Sequence, residues 1–327
     1  MKIILTATNL ARRGQLPGKQ NEPAHLLGMY HILRRAGHRV KILNCPTPRQ
    51  LAKAITGFSP NFIGFSTYRV AEYDLLKFPV NHRANDSLQD YGDIINGLKE
   101  RNIGLILGGR GVTSNPEYFI NTYRPDIVIK GLGELPMLKL AEADFRVRDL
   151  ERDQVYREEA YCTPILQSPI GSPWPEISFE RPYPLATDLA SRVIVQIGCF
   201  GRCIFCAEDH NVRYRSLEYS LAEIEYLAKA GAPIIALDGP NFTANPDQAA
   251  RLIDSINRRE KRPAKPGRTL TYTFMSREDS LHRSLVKHRD IWRHFAHDHP
   301  IYLGLGLETF LPDKANRSIL VVLSFIG

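Results

Sequence analysis

Three cysteines that lie within eight residues constrain this 327-residue chain more than any other feature. Cys199, Cys203 and Cys206 follow the spacing Cys-x3-Cys-x2-Cys, directly after a strand-like run that ends at Ile197. One short loop with three thiolates can hold three irons of a [4Fe-4S] cluster, which usually takes four cysteines. No fourth cysteine lies nearby, so one iron would keep an open position. The alternatives are inert core cysteines or a structural zinc site with His210 as a further ligand, although zinc sites usually show a fourth ligand at a recognisable spacing.

The remaining composition is that of an ordinary globular protein, with 43% hydrophobic and 24% charged residues. No basic segment leads into a long apolar run at the N-terminus, so we expect no signal peptide. No stretch is long enough to span a bilayer, and we expect no membrane partner. Five cysteines, three of them clustered, favour a reducing compartment over a disulfide framework. These features together predict a cytoplasmic protein.

The net charge of +8 raises the question of a nucleic-acid partner. The basic residues are scattered, and no basic stripe carries interleaved aromatic residues. Solvated helix faces and an anionic cofactor or partner explain the charge equally well. We therefore expect no nucleic acid.

Short apolar strands alternate with amphipathic helices over residues 1–143, which predicts an α/β domain with a Rossmann-like, doubly wound parallel sheet. The expected strands are Lys2–Thr6, Arg39–Asn44, Phe62–Ser66, Gly104–Leu107 and Asp126–Lys130. The expected helices are Ala24–Ala36, Pro48–Thr56, Leu88–Arg101, Pro116–Tyr123 and Glu134–Ala143.

Small and polar residues follow the carboxyl ends of these strands, where such sheets bind ligands. Glycine lets a backbone come close to a bulky ligand. The first helix does not follow Gly-x-Gly-x-x-Gly with an acidic residue about 20 positions on, which disfavours a nicotinamide site. The candidate ligand contacts are Ser66, Thr67, Gly108, Gly109, Gly111, Thr113, Gly131, Gly133 and Glu134.

Residues 144–190 differ in composition from the first domain, because a charged run is followed by several prolines. Because proline disfavours helix interiors and central strands, this segment is expected to be a linker. Trp174 is a candidate packing anchor in it. Cys162, in the same segment, and Cys45, after the second strand, are expected to carry no ligand.

Residues 191–327 begin a second series of strands and helices, typical of a partial (β/α) barrel in which chemistry lies at the carboxyl ends of strands. Polar residues at such ends are Asp238, Asn241, Arg277 and Glu308. Their structural alternatives are a turn cap for Asp238, an ion pair with Glu278 for Arg277, and a solvated acid for Glu308. Five histidines between positions 282 and 299 are expected at the surface.

The cysteine loop, with Phe205 before its last cysteine, resembles the cluster loop of the radical S-adenosylmethionine (SAM) superfamily. The resemblance implies that the amino and carboxylate groups of SAM chelate the open iron. It also implies that Asp238 and Asn241 lie where the superfamily binds the amino group of SAM. The run that ends in Glu308 resembles the Gly-x-Glu signature near the SAM ribose and carboxylate.

The first half resembles the N-terminal cobalamin-binding domain of one branch of that superfamily. The resemblance rests on the order and spacing of four landmarks, which are 35–40, 63–66, 108–117 and 131–134. It implies cobalamin as a further cofactor, bound without a lower histidine ligand because Asp-x-His-x-x-Gly is absent. A Rossmann-like domain that has lost its ligand, or that serves as a substrate or peptide platform, stays open as an alternative. Methylthio transfer is disfavoured because Cys45 is the one cysteine in this half.

Taken together, these resemblances imply a radical SAM enzyme in which a [4Fe-4S] cluster cleaves SAM reductively and cobalamin serves methyl transfer to an unactivated carbon. The implied partners are a small-molecule or peptide substrate and an external electron donor such as flavodoxin or ferredoxin. Ring formation or rearrangement without cobalamin is an alternative. A truncated, inactive metal-binding protein is another, since the barrel accounts for only about four strands before an apolar tail. That tail is expected to form a fifth strand or a core helix.

Overall fold

The computed structural model describes residues 1–8, 23–67, 69–70, 85–86, 88–150, 156–158, 163–168, 172, 174–183, 185, 190–201, 210, 212–260, 270–307 and 319–324. The described chain forms two compact units that divide between Pro182 and Tyr183. They are called unit 1 and unit 2, and each is described separately.

Unit 1 is built on one seven-stranded sheet. The unit's strands are β1 (Lys2–Ala7), β2 (Arg39–Asn44), β3 (Phe62–Ser66), β4 (Arg69–Val70), β5 (Asn85–Asp86), β6 (Gly104–Gly108), β7 (Ile127–Lys130), β8 (Tyr156–Glu158) and β9 (Ile165–Gln167). Its helices are α1 (Leu27–Arg35), α2 (Pro48–Phe58), α3 (Gly92–Asn96), α4 (Arg110–Ser114), α5 (Pro116–Tyr123) and α6 (Glu134–Glu142). Short 3₁₀ helices lie at Ala24–Leu26, Gln89–Tyr91, Lys99–Arg101 and Val147–Asp149.

The strand order is β2-β1-β3-β6-β7-β9-β8, in which only β8 pairs in the antiparallel direction, and β4 and β5 form a separate two-stranded ribbon. Successive residues of β1 are buried on opposite faces of the sheet. Ile4 packs in a cluster with residues of α2, α3 and α5, whereas Ile3 and Leu5 pack with residues of α1 and α6. Helices therefore cover both faces, as in other parallel sheets. The predicted doubly wound fold is confirmed.

The start of α2 is marked by a capping box. Thr47 caps α2, because its hydroxyl accepts from the Gln50 backbone N–H at 3.2 Å while the Gln50 side chain accepts from the Thr47 N–H at 2.8 Å. The expected helix Leu88–Arg101 is instead α3 flanked by two 3₁₀ turns. Gly97 directly follows the last residue of α3, where glycine disfavours continuation of the helix.

The proline-rich segment contributes to unit 1. Its strands β8 and β9 form the end of the sheet, and β9 pairs in parallel with β7. Ile165 and Leu166 are fully buried, one against each face of the sheet. Part of the segment expected to be a linker is thus sheet in the structure.

Unit 2 contains a five-stranded sheet in the order β10-β13-β14-β15-β16 and a small ribbon of β11 and β12. Its strands are β10 (Ala190–Ile194), β11 (Gln196–Ile197), β12 (Arg213–Tyr214), β13 (Ile234–Asp238), β14 (Thr271–Arg277), β15 (Ile301–Leu307) and β16 (Ile319–Ser324). Its helices are α7 (Leu217–Lys229), α8 (Pro246–Glu260), α9 (Glu278–Lys287) and α10 (Arg289–Asp298).

Strands β10, β13, β14 and β15 are parallel, and β16 is antiparallel to β15. The apolar tail therefore forms a fifth strand, and the alternative of a core helix is wrong. Helices pack on one face of the sheet through a cluster that includes Leu237, Phe274, Ile253 and Phe295. Burying such side chains contributes about 1.5–3 kcal/mol each. The predicted partial (β/α) barrel is confirmed.

In the part of the chain that the structure describes, no helix combines the length and apolar character needed to cross a membrane.

The histidines near the end of unit 2 do not all lie at the surface. His282, His294 and His297 are exposed, as expected, but His299 is buried to 6% exposure. Its ring packs edge-on against Tyr272, with centroids 5.3 Å apart. Burial lowers the pKa of His299, and the charge of Asp298 opposes that shift.

This lowered pKa predicts that unit 2 loses stability in mild acid. Below the ordinary histidine pKa of about 6.5 the unfolded chain binds more protons than the folded chain. The contribution of neutral His299 to the free energy of unfolding is therefore fully present above that pH and falls as the pH drops. The free energy of unfolding, measured by denaturant titration, should fall less between about pH 7.5 and about pH 5.5 in His299→Gln than in the wild type. The exposed control His282→Gln should keep the wild-type slope. Equal slopes in all three proteins would contradict the prediction.

Candidate functional site

Both ends of the cysteine loop are joined by the ribbon of β11 and β12. Gln196 lies opposite Tyr214 and Ile197 opposite Arg213 in antiparallel register. One residue farther out, the Arg215 N–H donates to the Val195 carbonyl at 3.0 Å. The loop between them thus begins and ends at one point, next to the carboxyl end of β10. Cys203, Phe205 and Cys206 lie outside the described residues.

Cys199, the first cysteine of the loop, is buried to 8% exposure. Its Sγ accepts a hydrogen bond from the Gly201 N–H at 3.4 Å. Gly198 before it has φ +72°, a conformation that favours glycine and turns the chain out of β11. Hydrogen bonds to sulfur stabilise thiolates and tune iron–sulfur clusters. The surroundings of Cys199 therefore suit a cluster ligand.

His210, the fourth ligand of the zinc alternative, lies beside the same cysteine. Its Nδ1 is 3.3 Å from the Cys199 carbonyl oxygen, so a proton on Nδ1 would make this a hydrogen bond. Within the described ranges, no group of three or more histidine, cysteine, aspartate or glutamate residues is placed to hold a metal ion.

Two residues of the ribbon were not singled out by sequence reasoning. Gln196 is 1% exposed, and its Oε1 and Cβ lie 2.9 Å and 2.8 Å from where a Cβ on Gly239 would be. The base of the cysteine loop therefore packs directly against the chain after β13, with room only for glycine there. Burial raises the pKa of the Tyr214 phenol, and Cys199 raises it further. The sequence could have indicated Gln196, because it is a polar residue in an otherwise apolar strand.

Asp238, the last residue of β13, forms an ion pair with Arg192 of β10. The two side chains are 28% and 27% exposed, so solvent still reaches them. They lie on the sheet face opposite the buried Val193 and Leu237. The carboxylate is thus oriented by a cation on the next strand and lies at the expected edge of the sheet.

The other predicted residues at this edge have different surroundings. Asn241 is fully buried, and its side-chain oxygen accepts hydrogen bonds from neighbours in β14 and α9. Arg277 ends β14 and its Nε donates to Asp279 at 3.1 Å. Glu308 lies outside the described residues.

In unit 1, the loops after β3 and β6 are tied to each other. Thr67 is 2% exposed, its hydroxyl donates to the Gly108 carbonyl at 2.8 Å, and the same hydroxyl accepts from the Val112 N–H at 3.1 Å. The Gly111 N–H donates to the Thr67 carbonyl at 3.2 Å. Ser66 accepts at its carbonyl from the Thr8 N–H and hydroxyl. These polar groups hold the edge together.

The loop after β7 is tied into the same edge. Thr113 donates its hydroxyl to the Gly109 carbonyl at 2.9 Å and accepts from the Gly131 N–H at 2.9 Å. Gly131 has φ +70°, which favours glycine. Gly108, Gly109 and Gly131 remain partly exposed. Backbone without side chains at this edge fits the close approach of a bulky ligand such as cobalamin.

Glu134, predicted to contact a cofactor, is buried to 7% exposure at the start of α6, directly after Gly133. Its Oε1 accepts from the Trp174 indole N–H at 3.0 Å. A Cβ on Gly28 would lie 2.8 Å from the Glu134 Cγ, so α1 approaches this side chain closely. In the structure Glu134 therefore holds the segment around Trp174 against the start of α6.

These features place polar groups of each unit at the carboxyl ends of parallel strands. Three comparisons with known proteins bear on the class of protein. Neither protein-family profiles nor curated proteins match the sequence. Solved structures do match, and three of them are radical SAM enzymes of the cobalamin-binding kind.

One neighbour is the radical SAM methyltransferase TsrM from Kitasatospora setae, with tryptophan substrate and a SAM analogue bound. Its TM-score is 0.70 at 16% identity, over 95% of this chain and 60% of TsrM. TsrM with cobalamin and a [4Fe-4S] cluster bound gives 0.69 at 16% identity, over 95% of this chain and 62% of TsrM. The radical enzyme OxsB with aqua-cobalamin bound gives 0.67 at 16% identity, over 94% of this chain and 44% of OxsB.

The chain therefore has the fold of the cobalamin-binding branch of radical SAM enzymes, as the sequence resemblance implied. It spans less than two thirds of the length of these neighbours. At this identity the likeness establishes the fold.

The close approach at Gly109 predicts a large effect of a single methyl group. Gly109 has φ +95°, and an added Cβ would lie 2.7 Å from both the N and O atoms of Thr67. We expect Gly109→Ala to lower the free energy of unfolding by about 2 kcal/mol or more. The neighbouring control Gly108→Ala, whose Cβ would meet its nearest atom at 3.4 Å, should cost less. Denaturant titration measures both, and equal losses would contradict the expectation.

The contact between Glu134 and Trp174 predicts a fluorescence difference. The chain has two tryptophans, so a Trp292→Phe background isolates the Trp174 signal. Glu134→Ala removes the acceptor of the indole N–H and should make Trp174 more accessible to acrylamide quenching. Glu134→Gln keeps an oxygen acceptor and should quench as the background does. Unchanged quenching in Glu134→Ala would show that the bond does not hold this segment.

Proposed function

We propose that this protein is a radical SAM enzyme that holds a [4Fe-4S] cluster on Cys199, Cys203 and Cys206, cleaves SAM reductively, and uses cobalamin to methylate an unactivated carbon. The observation that carries the proposal is a fold match at TM-score 0.70 over 95% of the chain, combined with three cysteines on the loop that follows β11. The neighbours' bound cluster, SAM analogue and cobalamin support the same cofactor set.

The residues of unit 2 fit the cluster and SAM. Cys199 supplies a buried soft ligand with an N–H donor at its sulfur. Asp238, held by Arg192, offers a partly exposed carboxylate that can accept from an ammonium group. Arg277 offers donors for a carboxylate.

The residues of unit 1 fit a large ligand bound mainly through backbone. Gly108, Gly109 and Gly131 line the partly exposed edge, and the hydroxyls of Thr67 and Thr113 keep the three loops in register. When bound, the three cofactors would supply an electron passed on from a flavodoxin or ferredoxin, a 5′-deoxyadenosyl radical from SAM, and a transferable methyl group. The protein would position a small-molecule or peptide substrate and exclude water.

Anaerobic reconstitution with iron and sulfide tests the cluster and the SAM chemistry together. The wild type should take up iron and sulfide and, with reductant, convert SAM to 5′-deoxyadenosine, measured by mass spectrometry. Replacing Cys199, Cys203 and Cys206 with alanine should abolish both, because no thiolate remains to hold iron. The half-buried Cys45→Ala is the matched control and should behave as the wild type. A triple variant that still yields 5′-deoxyadenosine would sink the proposal.

A second measurement separates the methyl-transfer proposal from its alternative. After incubation with hydroxocobalamin and gel filtration, the wild type should retain corrin absorbance, and Gly109→Ala should retain less of it. Formation of 5′-deoxyadenosine without retained corrin would favour ring formation or rearrangement without cobalamin.

A further inference from the structure

The side chain of Asn241 lies three residues beyond β13 in unit 2 and is completely buried. Its Oδ1 accepts from the Ser280 hydroxyl at 2.8 Å, the Ser276 hydroxyl at 3.1 Å and the Arg277 backbone N–H at 3.2 Å. Ser276 and Ser280 are 3% and 0% exposed. One amide oxygen thus lies within hydrogen-bond distance of three donors from the end of β14 and the first turn of α9. The hydroxyls of Ser280 and Ser276 also lie 3.1 Å and 3.4 Å from the Arg277 carbonyl oxygen.

The orientation of this amide follows from its neighbours. The Arg277 N–H can only donate, so the atom that faces it must be the amide oxygen and not the nitrogen. The remaining group, Nδ2, has no partner among the residues described and can only donate. An ammonium group also only donates. Neither end of the Asn241 amide therefore suits the amino group of SAM, which the family resemblance assigns to this position.

The loop that carries Asn241 is joined to β14 at further points. The Phe242 N–H donates to the Met275 carbonyl at 2.9 Å. The buried Thr243 hydroxyl contacts the Ser276 hydroxyl and lies 3.2 Å from the Ser280 hydroxyl. No side chain caps the start of α9, where Arg277 is the N-cap residue. The turn between β14 and α9 is therefore held by the buried hydrogen bonds around Asn241.

The Arg277 side chain, by contrast, lies partly exposed at the surface of this turn. It is 27% exposed, and Asp279 orients its guanidinium through Nε. The buried Asn241 side chain holds the Arg277 backbone N–H, while the Arg277 side chain reaches solvent. A displacement of that backbone would move the guanidinium with it.

We propose that Asn241 is a positioning residue that holds the Arg277 backbone, so that the Arg277 guanidinium, and not the Asn241 amide, contacts a carboxylate such as that of SAM. The role of Arg277 in binding rests on the proposed function. The positioning of its backbone does not, and it can be tested in the protein without SAM.

Hydrogen exchange measured by mass spectrometry tests the positioning step. Asn241→Ala removes the acceptor of the Arg277 N–H and leaves the Ser276 and Ser280 hydroxyls with the Arg277 carbonyl as acceptor, so amides over residues 276–282 should exchange about tenfold faster or more. Asn241→Asp keeps an oxygen acceptor and should stay within about threefold of the wild type. The control Asn245→Ala removes an amide of the same loop that caps α8, and it should leave this segment unchanged.

If Asn241→Ala does not fold, Asn241→Ser takes its place in the same comparison. Serine also removes the amide oxygen, and its shorter side chain fills the site with a polar group. Unchanged exchange over residues 276–282 in the folded variant would overturn the positioning role.

Binding of SAM to the reconstituted protein tests the consequence. Asn241→Ala and Arg277→Ala should each weaken SAM binding by about tenfold, equal to about 1.4 kcal/mol. The double variant should bind no more weakly than Arg277→Ala, because both changes remove one contact. Additive losses, or an equal loss in Asn241→Asp and Asn241→Ala, would show direct contact and overturn the proposal. If the wild type binds no SAM, the proposed function fails, while the exchange result still decides the role of Asn241.

Discussion

Parallel strand pairing is the constraint on which the site of each unit depends. In parallel sheets every strand ends at the same edge, so the loops that follow them lie side by side although they are far apart in sequence. In unit 1 this brings the loops after β3, β6 and β7 within hydrogen-bond distance of one another. In unit 2 it brings Asp238 and Arg277 to one end of the sheet, through the pairing of β13 with β14. The candidate site of each unit lies at such an edge.

The polar residues at these edges serve two purposes. Some bind their own neighbours, as Thr67, Thr113, Glu134 and Asn241 do. Others keep part of their surface open to solvent, as Asp238 and Arg277 do. Buried polar groups must be satisfied internally because an unpaired one costs about 1–3 kcal/mol. A small polar residue near a ligand edge is therefore often part of the support for the site and not a contact.

Sequence reasoning predicted the strands well, because short apolar runs between amphipathic helices have a clear period. It was less accurate where tertiary packing decides. The segment 144–190 was read as a linker from its prolines, yet Ile165 and Leu166 complete a sheet with residues far away. The cofactor contacts predicted for Glu134 and Asn241 stay predictions, and no local pattern shows that these residues also accept from Trp174 and from the Arg277 N–H. His299 was expected at the surface because nothing local shows that Tyr272 packs against it.

By itself, the sequence determined the order of strands and helices, the spacing of three cysteines on one loop, and hence the family of folds to which the chain could belong. The tertiary structure alone decided which donors and acceptors near the ends of the strands are used within the protein. The reason is that hydrogen-bond partners are chosen by distance in space. The amide of Asn241 and the hydroxyl of Ser280 meet only after β13, β14 and α9 have packed together.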